Sequence, residues 1–160
     1  MCIRDSNDGF AFCYKIPDGE GPRVNVQSEL TAYNFAGDYT AWFYNGENHN
    51  IGPEKLTETD GTRLPVMTVK AGDKHYMAIH EACLETGAPL VLQSKGGESL
   101  FSVASKPTSL SPGYTSAWRV VLYGTTPGVL TDSHLLELLN PDPDSRYDFS
   151  WVKPGLAVWD

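Results

Sequence analysis

Short runs in which large apolar residues occupy alternate positions constrain the fold of this chain most strongly. In the first run, Phe10-Ala11-Phe12-Cys13-Tyr14-Lys15-Ile16, a bulky apolar side chain stands at every second position. This is the period of a strand with one buried face. Similar runs occupy 24–27, 30–35, 39–44, 64–69, 76–80, 89–93, 100–103 and 118–123. Two antiparallel sheets packed face to face bury such one-faced strands economically, so we predict an all-β antiparallel β-sandwich.

One segment near the C-terminal end has a helical pattern. The leucines of 129–139 form a broad apolar face, and Thr131 or Asp132 is placed to cap the helix. Asn140-Pro141 then ends it. We predict one helix from about residue 129 to residue 139.

A polar stretch interrupts the strand pattern between Asn45 and Arg63, where Asn, Gly, Glu and Thr dominate. Long connections without structure of their own are often functional. We therefore interpret this stretch as an irregular loop and as the first candidate site.

Charge and composition exclude several classes of function. The chain has a net charge of −8 and no cluster of Lys or Arg, so it lacks the basic surface of a nucleic-acid-binding protein. No run of about 18 apolar residues occurs, so we predict no membrane span. Neutral ligands suit this chain better, and its 11% of aromatic residues serve either a β-sheet core or the stacking of sugars.

Both ends of the sequence suggest a piece of a longer protein, as in a metagenomic fragment. Residues 1–6, Met-Cys-Ile-Arg-Asp-Ser, are the translation of a common sequencing-library adapter. A linker rich in Pro and Asp covers 142–148, and a new apolar run begins at Trp151. We predict an adapter-derived scar at 1–6, a partial sandwich domain at 7–147, and a linker with the start of a second domain at 148–160.

Several motifs, taken in order, resemble glycoside hydrolase family 97, and the resemblance spans nearly the whole chain. The C-terminal motifs are Trp118-Arg119-Val120-Val121, then Leu135-Leu136-Glu137-Leu138-Leu139-Asn140-Pro141, then Ser150-Trp151-Val152-Lys153-Pro154-Gly155 and Trp159-Asp160. The upstream motifs are Asp8-Gly9-Phe10-Ala11-Phe12, Phe35 with Asp38-Tyr39-Thr40-Ala41-Trp42, Leu64-Pro65-Val66, and Ala78-Ile79-His80-Glu81-Ala82.

The resemblance implies an N-terminal accessory domain with an incomplete super-sandwich similar to galactose mutarotase, ending at the first strand of a (β/α)₈ barrel that the chain lacks. Family members hydrolyse α-glucosides or α-galactosides, some with retention and some with inversion. Barrel enzymes act at the C-terminal ends of their strands, so we expect the catalytic carboxylates outside this chain. The implied partners are the enzyme's own barrel and an α-linked oligosaccharide, in the periplasm or outside a bacterial cell.

The resemblance also implies calcium, with one ligand from this domain and the others from the barrel. Glu54 lies in Gly-Pro-Glu-Lys-Leu-Thr-Glu-Thr (52–59), which resembles the family's Tyr-Glu-x-x-Tyr-Thr-Glu segment, and a carboxylate is the oxygen donor that calcium prefers. Glu47 and Glu58 are alternative equivalents, and solvated loop charges are the competing interpretation. Asp160, at the end of the expected first barrel strand, is the candidate substrate-binding residue.

Other side chains receive structural interpretations. We expect Glu81 to accept backbone N–H bonds from a following turn, and Trp42 and Trp118 to pack in the core. Cys13 and Cys83 are interpreted as core thiols without a disulfide framework. The four histidines lack metal-like spacing.

Two other functions compete with the accessory domain, namely a free-standing carbohydrate-binding sandwich and a cell-surface interaction module. An accessory domain would leave an apolar surface exposed where the barrel docks, whereas both alternatives predict a polar surface. The exposure of Trp151, Val152, Val158 and Trp159 discriminates between them.

Overall fold

The computed structural model describes residues 1–44, 46, 50–85, 87–142 and 147–156, and within them the fold is built almost wholly of antiparallel strands. The strands are β1 Cys2–Ser6, β2 Gly9–Cys13, β3 Val24–Val26, β4 Ala32–Asn34, β5 Thr40–Tyr44, β6 Asn50–Lys55, β7 Asp60–Ala71, β8 His75–Ala82, β9 Leu92–Lys95, β10 Leu100–Val103, β11 Thr108–Leu110 and β12 Trp118–Gly124. A 3-10 turn covers Leu56–Glu58, and two short helices follow, α1 Pro127–Asp132 and α2 Leu135–Leu139.

The main sheet curls into a sandwich because its longest strand serves both halves. The order is β1-β2-β12-β8-β7-β9-β10-β4, with β5 also pairing with β7 and β6 with β5. The first part of β7, from Asp60 to Arg63, pairs with β9, while Met67 to Ala71 pair with β8. A separate pair joins β3 to β11. The predicted all-β antiparallel sandwich is confirmed.

The principal core lies inside this curl and follows from the alternation in the sequence. Phe101 on β10 is fully buried, with the ring of Phe43 at 5.7 Å and the ring of Phe35 at 6.4 Å. The other buried members of this core are Ala41, Leu56, Met67, Val69, Ile79, Leu90, Leu92 and Val103. Each half of the curl contributes one face of its strands, so neither half buries its apolar face without the other.

A second apolar cluster covers the opposite face of the sheet beneath the helices. Leu135 and Leu139 of α2 pack there with Ala78, Val120 and Leu122. The predicted single helix over 129–139 is divided in the structure, because Ser133 is extended at ψ 128° and interrupts it. Its hydroxyl accepts a hydrogen bond from the Leu135 N–H at 3.2 Å, the local bonding by which serine competes with a continuous helix.

The helix ends differ in part from the prediction. Thr126 is the N-cap residue and Pro127 the first residue of α1, so Thr131 and Asp132 lie in the last turn of α1 rather than at the start of a helix. Asn140 stands at the end of α2, as predicted.

The prediction of an irregular loop over 45–63 is wrong for most of that stretch. Residues 50–55 form β6 along β5, residues 56–58 form the 3-10 turn, and β7 begins at Asp60. The polar side chains do not indicate a loop here, because β6 pairs only with β5 and lies at an edge of the sheet, where few residues need to be apolar.

The two ends of the chain differ in structure. Residues 2–6, assigned to an adapter, form β1 and pair in register with β2. Residues 147–156 contain a turn at Ser150 and Trp151 but no strand, and 157–160 lie outside the described residues. None of the described helices is long and apolar enough to span a membrane.

Candidate functional site

Glu54 lies at the corner where β6 passes through the 3-10 turn into β7, and its side chain is largely buried. Its Oε1 accepts hydrogen bonds from Thr59 Oγ1 at 2.9 Å and from Arg63 Nη2 at 3.2 Å. The Arg63 guanidinium also lies 5.6 Å from the centre of the Phe43 ring. Glu54 is therefore a paired carboxylate that ties this corner to the principal core, and the interpretation as a solvated loop charge does not describe it.

The described residues do not by themselves form a calcium site. No group of three His, Cys, Asp or Glu side chains comes together among them. Glu54 already faces the positive charge of Arg63, and Glu58 is exposed, with its Oε2 3.4 Å from the Lys55 N–H. Calcium takes six to eight oxygen ligands, so one paired carboxylate is insufficient. The third candidate, Glu47, lies outside the described residues, as does the substrate-binding candidate Asp160.

The most strongly charged interior of the domain is a network around Arg119 on β12. Arg119 is 2% exposed, and its guanidinium binds Glu29 through two bonds, Nε to Oε1 at 3.0 Å and Nη2 to Oε2 at 2.7 Å. Its Nη1 lies 3.7 Å from Glu81 Oε2. Glu81 Oε2 also accepts a hydrogen bond from the Leu90 N–H. The prediction that Glu81 accepts a backbone N–H is confirmed, although the donor is nine residues away along the chain.

Hydroxyl groups extend this network toward the surface. Thr31 Oγ1 donates to Glu29 Oε1 at 2.8 Å and lies 2.9 Å from the Tyr14 hydroxyl. The Tyr33 hydroxyl is buried and has no hydrogen-bond partner among the described residues, and its burial raises the pKa of Tyr33. The network thus joins the segment before β4 to β8 and β12.

Burial and ion pairing shift the pKa values of Glu29 and Arg119 in opposite directions. Burial raises the pKa of Glu29, but the hydrogen bonds from Arg119 and Thr31 and the charge of Arg119 outweigh it, so the pKa lies below its ordinary value. Burial lowers the pKa of Arg119, and Glu29 outweighs that effect and raises it. Both groups are therefore charged at neutral pH, and each holds the other in its charged form.

We predict that this pairing makes the domain sensitive to acid. A carboxylate whose pKa is lowered by folding stabilises the fold above its unfolded pKa of about 4.3, and that stability is lost as the pH falls through the folded pKa. Urea unfolding between pH 7 and pH 3 should show this loss. Glu29→Gln should weaken the dependence of the free energy of unfolding on pH. The exposed-loop variant Glu98→Gln is the matched control. The same pH dependence of the free energy of unfolding in wild type and Glu29→Gln would contradict the prediction.

The tryptophans and cysteines divide between core and surface. Trp118 packs partly against the second cluster, whereas Trp42 is 36% exposed, so the prediction of core packing is wrong for Trp42. The helices pack against β12 and β8, and Trp42 on β5 lies outside the second cluster that they cover. Cys13 is a buried free thiol, as predicted, and burial raises its pKa. Cys83 is only partly buried.

Two exposed apolar regions stand out on the surface. Trp42 and Tyr44 point outward from β5 on the face that the helices occupy further along the sheet, as the register through Thr68 and Ala78 shows. The second region is the segment 147–156, in which every residue is exposed and Trp151 is 75% exposed. Contiguous exposed apolar surface is typical of interaction sites.

Comparison with curated proteins shows similarity to alpha-galactosidases. The chain is 26% identical over 199 aligned residues to a retaining alpha-galactosidase of Bacteroides thetaiotaomicron and 28% identical over 179 aligned residues to a probable retaining alpha-galactosidase of Streptomyces bingchenggensis. Each alignment covers 99% of this chain but 30% and 25% of the relative. The chain thus spans between a quarter and a third of these curated relatives.

Solved structures agree with the sequence comparisons. A glycoside hydrolase family 97 enzyme from Pseudoalteromonas sp. strain K8, in complex with acarbose, superposes with a TM-score of 0.77 at 25% identity, covering 93% of this chain and 24% of that one. A variant of the enzyme in complex with panose superposes equally well.

The family model for the glycosyl-hydrolase 97 N-terminal domain matches residues 1–141, which include the Arg119 network and both short helices. This chain belongs to glycoside hydrolase family 97 and comprises N-terminal-domain sequence of that family.

Proposed function

We propose that this chain is the accessory domain of a bacterial α-glycosidase, in which it packs against a catalytic barrel and helps to line the mouth of the active site. The observation that carries the proposal is the pair of exposed apolar regions, β5 and 147–156, on a domain whose relatives are three to four times longer. A free-standing binding module would have no need of them, since monomeric proteins rarely leave such apolar surface uncovered.

The relatives indicate the class of substrate that we propose. Both curated relatives are named as retaining alpha-galactosidases, which favours an α-galactoside cleaved with retention. The solved relative is in complex with acarbose and a variant of it is in complex with panose, which favours an α-glucoside. We propose the α-galactoside first and the α-glucoside as the second candidate. We also propose a location in the periplasm or outside a bacterial cell.

The deciding experiment compares this chain with a form extended by the sequence that follows residue 160 in its gene. We expect the chain alone to leave p-nitrophenyl α-galactoside and p-nitrophenyl α-glucoside intact, and the extended protein to hydrolyse one of them. Hydrolysis by the chain alone would overturn the proposal, and so would an extension that encodes no barrel.

The docking role of β5 predicts a difference between two exposed aromatic residues. In the extended enzyme, Trp42→Thr should lower the free energy of unfolding by about 1–2 kcal/mol more than in the chain alone, because Trp42 gains an apolar partner there. Phe10→Thr on β2 is the matched control, since Phe10 is also exposed but lies away from β5. Equal costs in the chain and in the extended enzyme would contradict docking through β5.

We propose that Glu54 is a calcium ligand that this chain adds to others from the barrel. We expect Glu54→Gln to weaken calcium binding by the extended enzyme at least tenfold in calorimetric titration, an effect of about 1.4 kcal/mol. Glu58→Gln in the same turn should leave the affinity unchanged. Equal calcium affinity for wild type and Glu54→Gln would remove Glu54 from the site and leave it with the structural role that its pairing with Arg63 describes.

A further inference from the structure

An open groove runs between the end of β8 and the turn that precedes β12. Its volume is about 640 Å³, within the range of about 300–1,000 Å³ found for small-molecule sites. The side chains that matter for its chemistry are Arg23, Cys83, Glu85, Ser111, Tyr114 and Trp118. The residues come from three separate parts of the chain, so the groove is a product of the fold rather than of one loop.

The lining combines aromatic surface with hydrogen-bonding groups of balanced charge. Trp118 and Tyr114 supply rings, and aromatic rings pack well on the apolar face of a sugar. The guanidinium of Arg23 is held in place by Ser109, with Nε 3.3 Å from its hydroxyl and Nη2 bound to its carbonyl oxygen. Glu85 adds an exposed carboxylate, which offsets the charge of Arg23.

This balance selects among ligand classes. A phosphate or an acidic peptide would meet the carboxylate of Glu85 and the overall charge of −8, and a cation would meet Arg23. A sugar is neutral, and each hydroxyl both donates and accepts hydrogen bonds. It can therefore donate to the carboxylate and accept from the guanidinium at the same time.

A backbone feature beside the groove supports a functional interpretation. Cys83 has a φ of +54°, and it is the one non-glycine residue with positive φ among the described residues. Its N–H donates to Asn140 Oδ1 at 2.9 Å, and the same amide donates from Nδ2 to the Leu136 carbonyl at 2.7 Å. Backbone conformations of this kind are maintained by surrounding structure and occur preferentially at functional sites. Here the end of α2 fixes the wall of the groove.

We propose that this groove binds a short neutral oligosaccharide of about two or three rings, by stacking on Trp118 and Tyr114 and by hydrogen bonds to Arg23, Glu85 and Ser111. The choice of α-linked sugars as ligands rests on the proposed function. Binding itself requires only residues of this chain, so it is measurable without the barrel.

The test titrates the ¹⁵N-labelled 160-residue chain with panose and, separately, with raffinose, an α-galactosyl trisaccharide, and follows the amide resonances. We expect at least one sugar to shift the resonances of the groove residues in a saturable manner. Glu85→Gln should weaken that binding about tenfold, since it removes a charged hydrogen-bond acceptor. Glu98→Gln, in an exposed loop away from the groove, should leave binding unchanged.

A second readout uses the thiol in the groove wall. Alkylation of Cys83 by iodoacetamide should slow in the presence of the bound sugar, while that of the exposed Cys2 should not. Trp118→Phe keeps an aromatic side chain against the second cluster and should weaken binding without unfolding the domain. The proposal is overturned if neither sugar shifts the groove resonances, or if Glu85→Gln and Trp118→Phe bind as wild type does. That outcome leaves the proposed function intact, because hydrolysis by the extended enzyme tests it separately.

Discussion

Replacing Arg119 with methionine is expected to lower the free energy of unfolding by about 3–5 kcal/mol, the cost found when one partner of a buried ion pair is removed. Arg119 is 2% exposed and is the only cation in contact with both Glu29 and Glu81 among the described residues. Methionine fills much of the space but leaves both carboxylates without the positive charge that paired them. The penalty therefore comes from the buried charges that remain and only partly from the bonds that are lost.

The pH dependence separates this explanation from a simple packing defect. In the variant, burial still raises the pKa of Glu29 but Arg119 no longer lowers it, so protonation of Glu29 relieves the uncompensated charge. The cost of Arg119→Met should therefore shrink as the pH falls from 7 to 4. Urea unfolding of wild type and variant at both pH values measures the change. The double variant Arg119→Met with Glu29→Gln should recover part of the loss at pH 7, and Lys95→Met on the exposed side of β9 is the control. A cost that is independent of pH would contradict the electrostatic account.

Alternation in the sequence identifies a strand when only one of its faces is buried. This holds from Leu100 to Val103, whereas β12 is buried on both faces at Arg119 and Val120. In β6 the same rule fails. Residues 50–55 include Gly52 and Pro53 and pair only with β5. Their low apolar content therefore indicates a strand at the edge of a sheet rather than the absence of a strand.

The network itself could not be predicted, because its partners are distant in sequence. Arg119 and Glu29 are 90 residues apart, and Glu29 lies in a segment without any motif. The register that sets β12 beside β8 places Arg119 opposite Glu81 and so identifies the second acidic partner. Similarly, Glu54 was identifiable as a carboxylate of interest, whereas its pairing with Arg63 depends on the turn between β6 and β7.

Truncating Phe101 to alanine is expected to lower the free energy of unfolding by about 3–5 kcal/mol, as for other large aromatic residues in cores. Phe101 is 0% exposed, and the rings of Phe43 and Phe35 both pack on it. The cavity left behind lies between the two halves of the curled sheet, where strands on both sides constrain collapse. In a chain of this size each kcal/mol corresponds to about 2–4 °C in Tm, so the Tm should fall by about 10 °C.

The same truncation tests whether the core and the proposed docking face are linked. Phe43 packs inward on Phe101, and by alternation along β5 this inward position turns Trp42 and Tyr44 outward. Loosening the core at Phe101 should therefore disturb the amide resonances of β5 and spare the groove beside Trp118, which rests on the second cluster. Phe10→Ala on the exposed side of β2 should cost less than about 1 kcal/mol, because a partly exposed ring loses little burial. A similar cost for both alanine variants would mean that the space between the two halves of the sheet is not the principal source of stability.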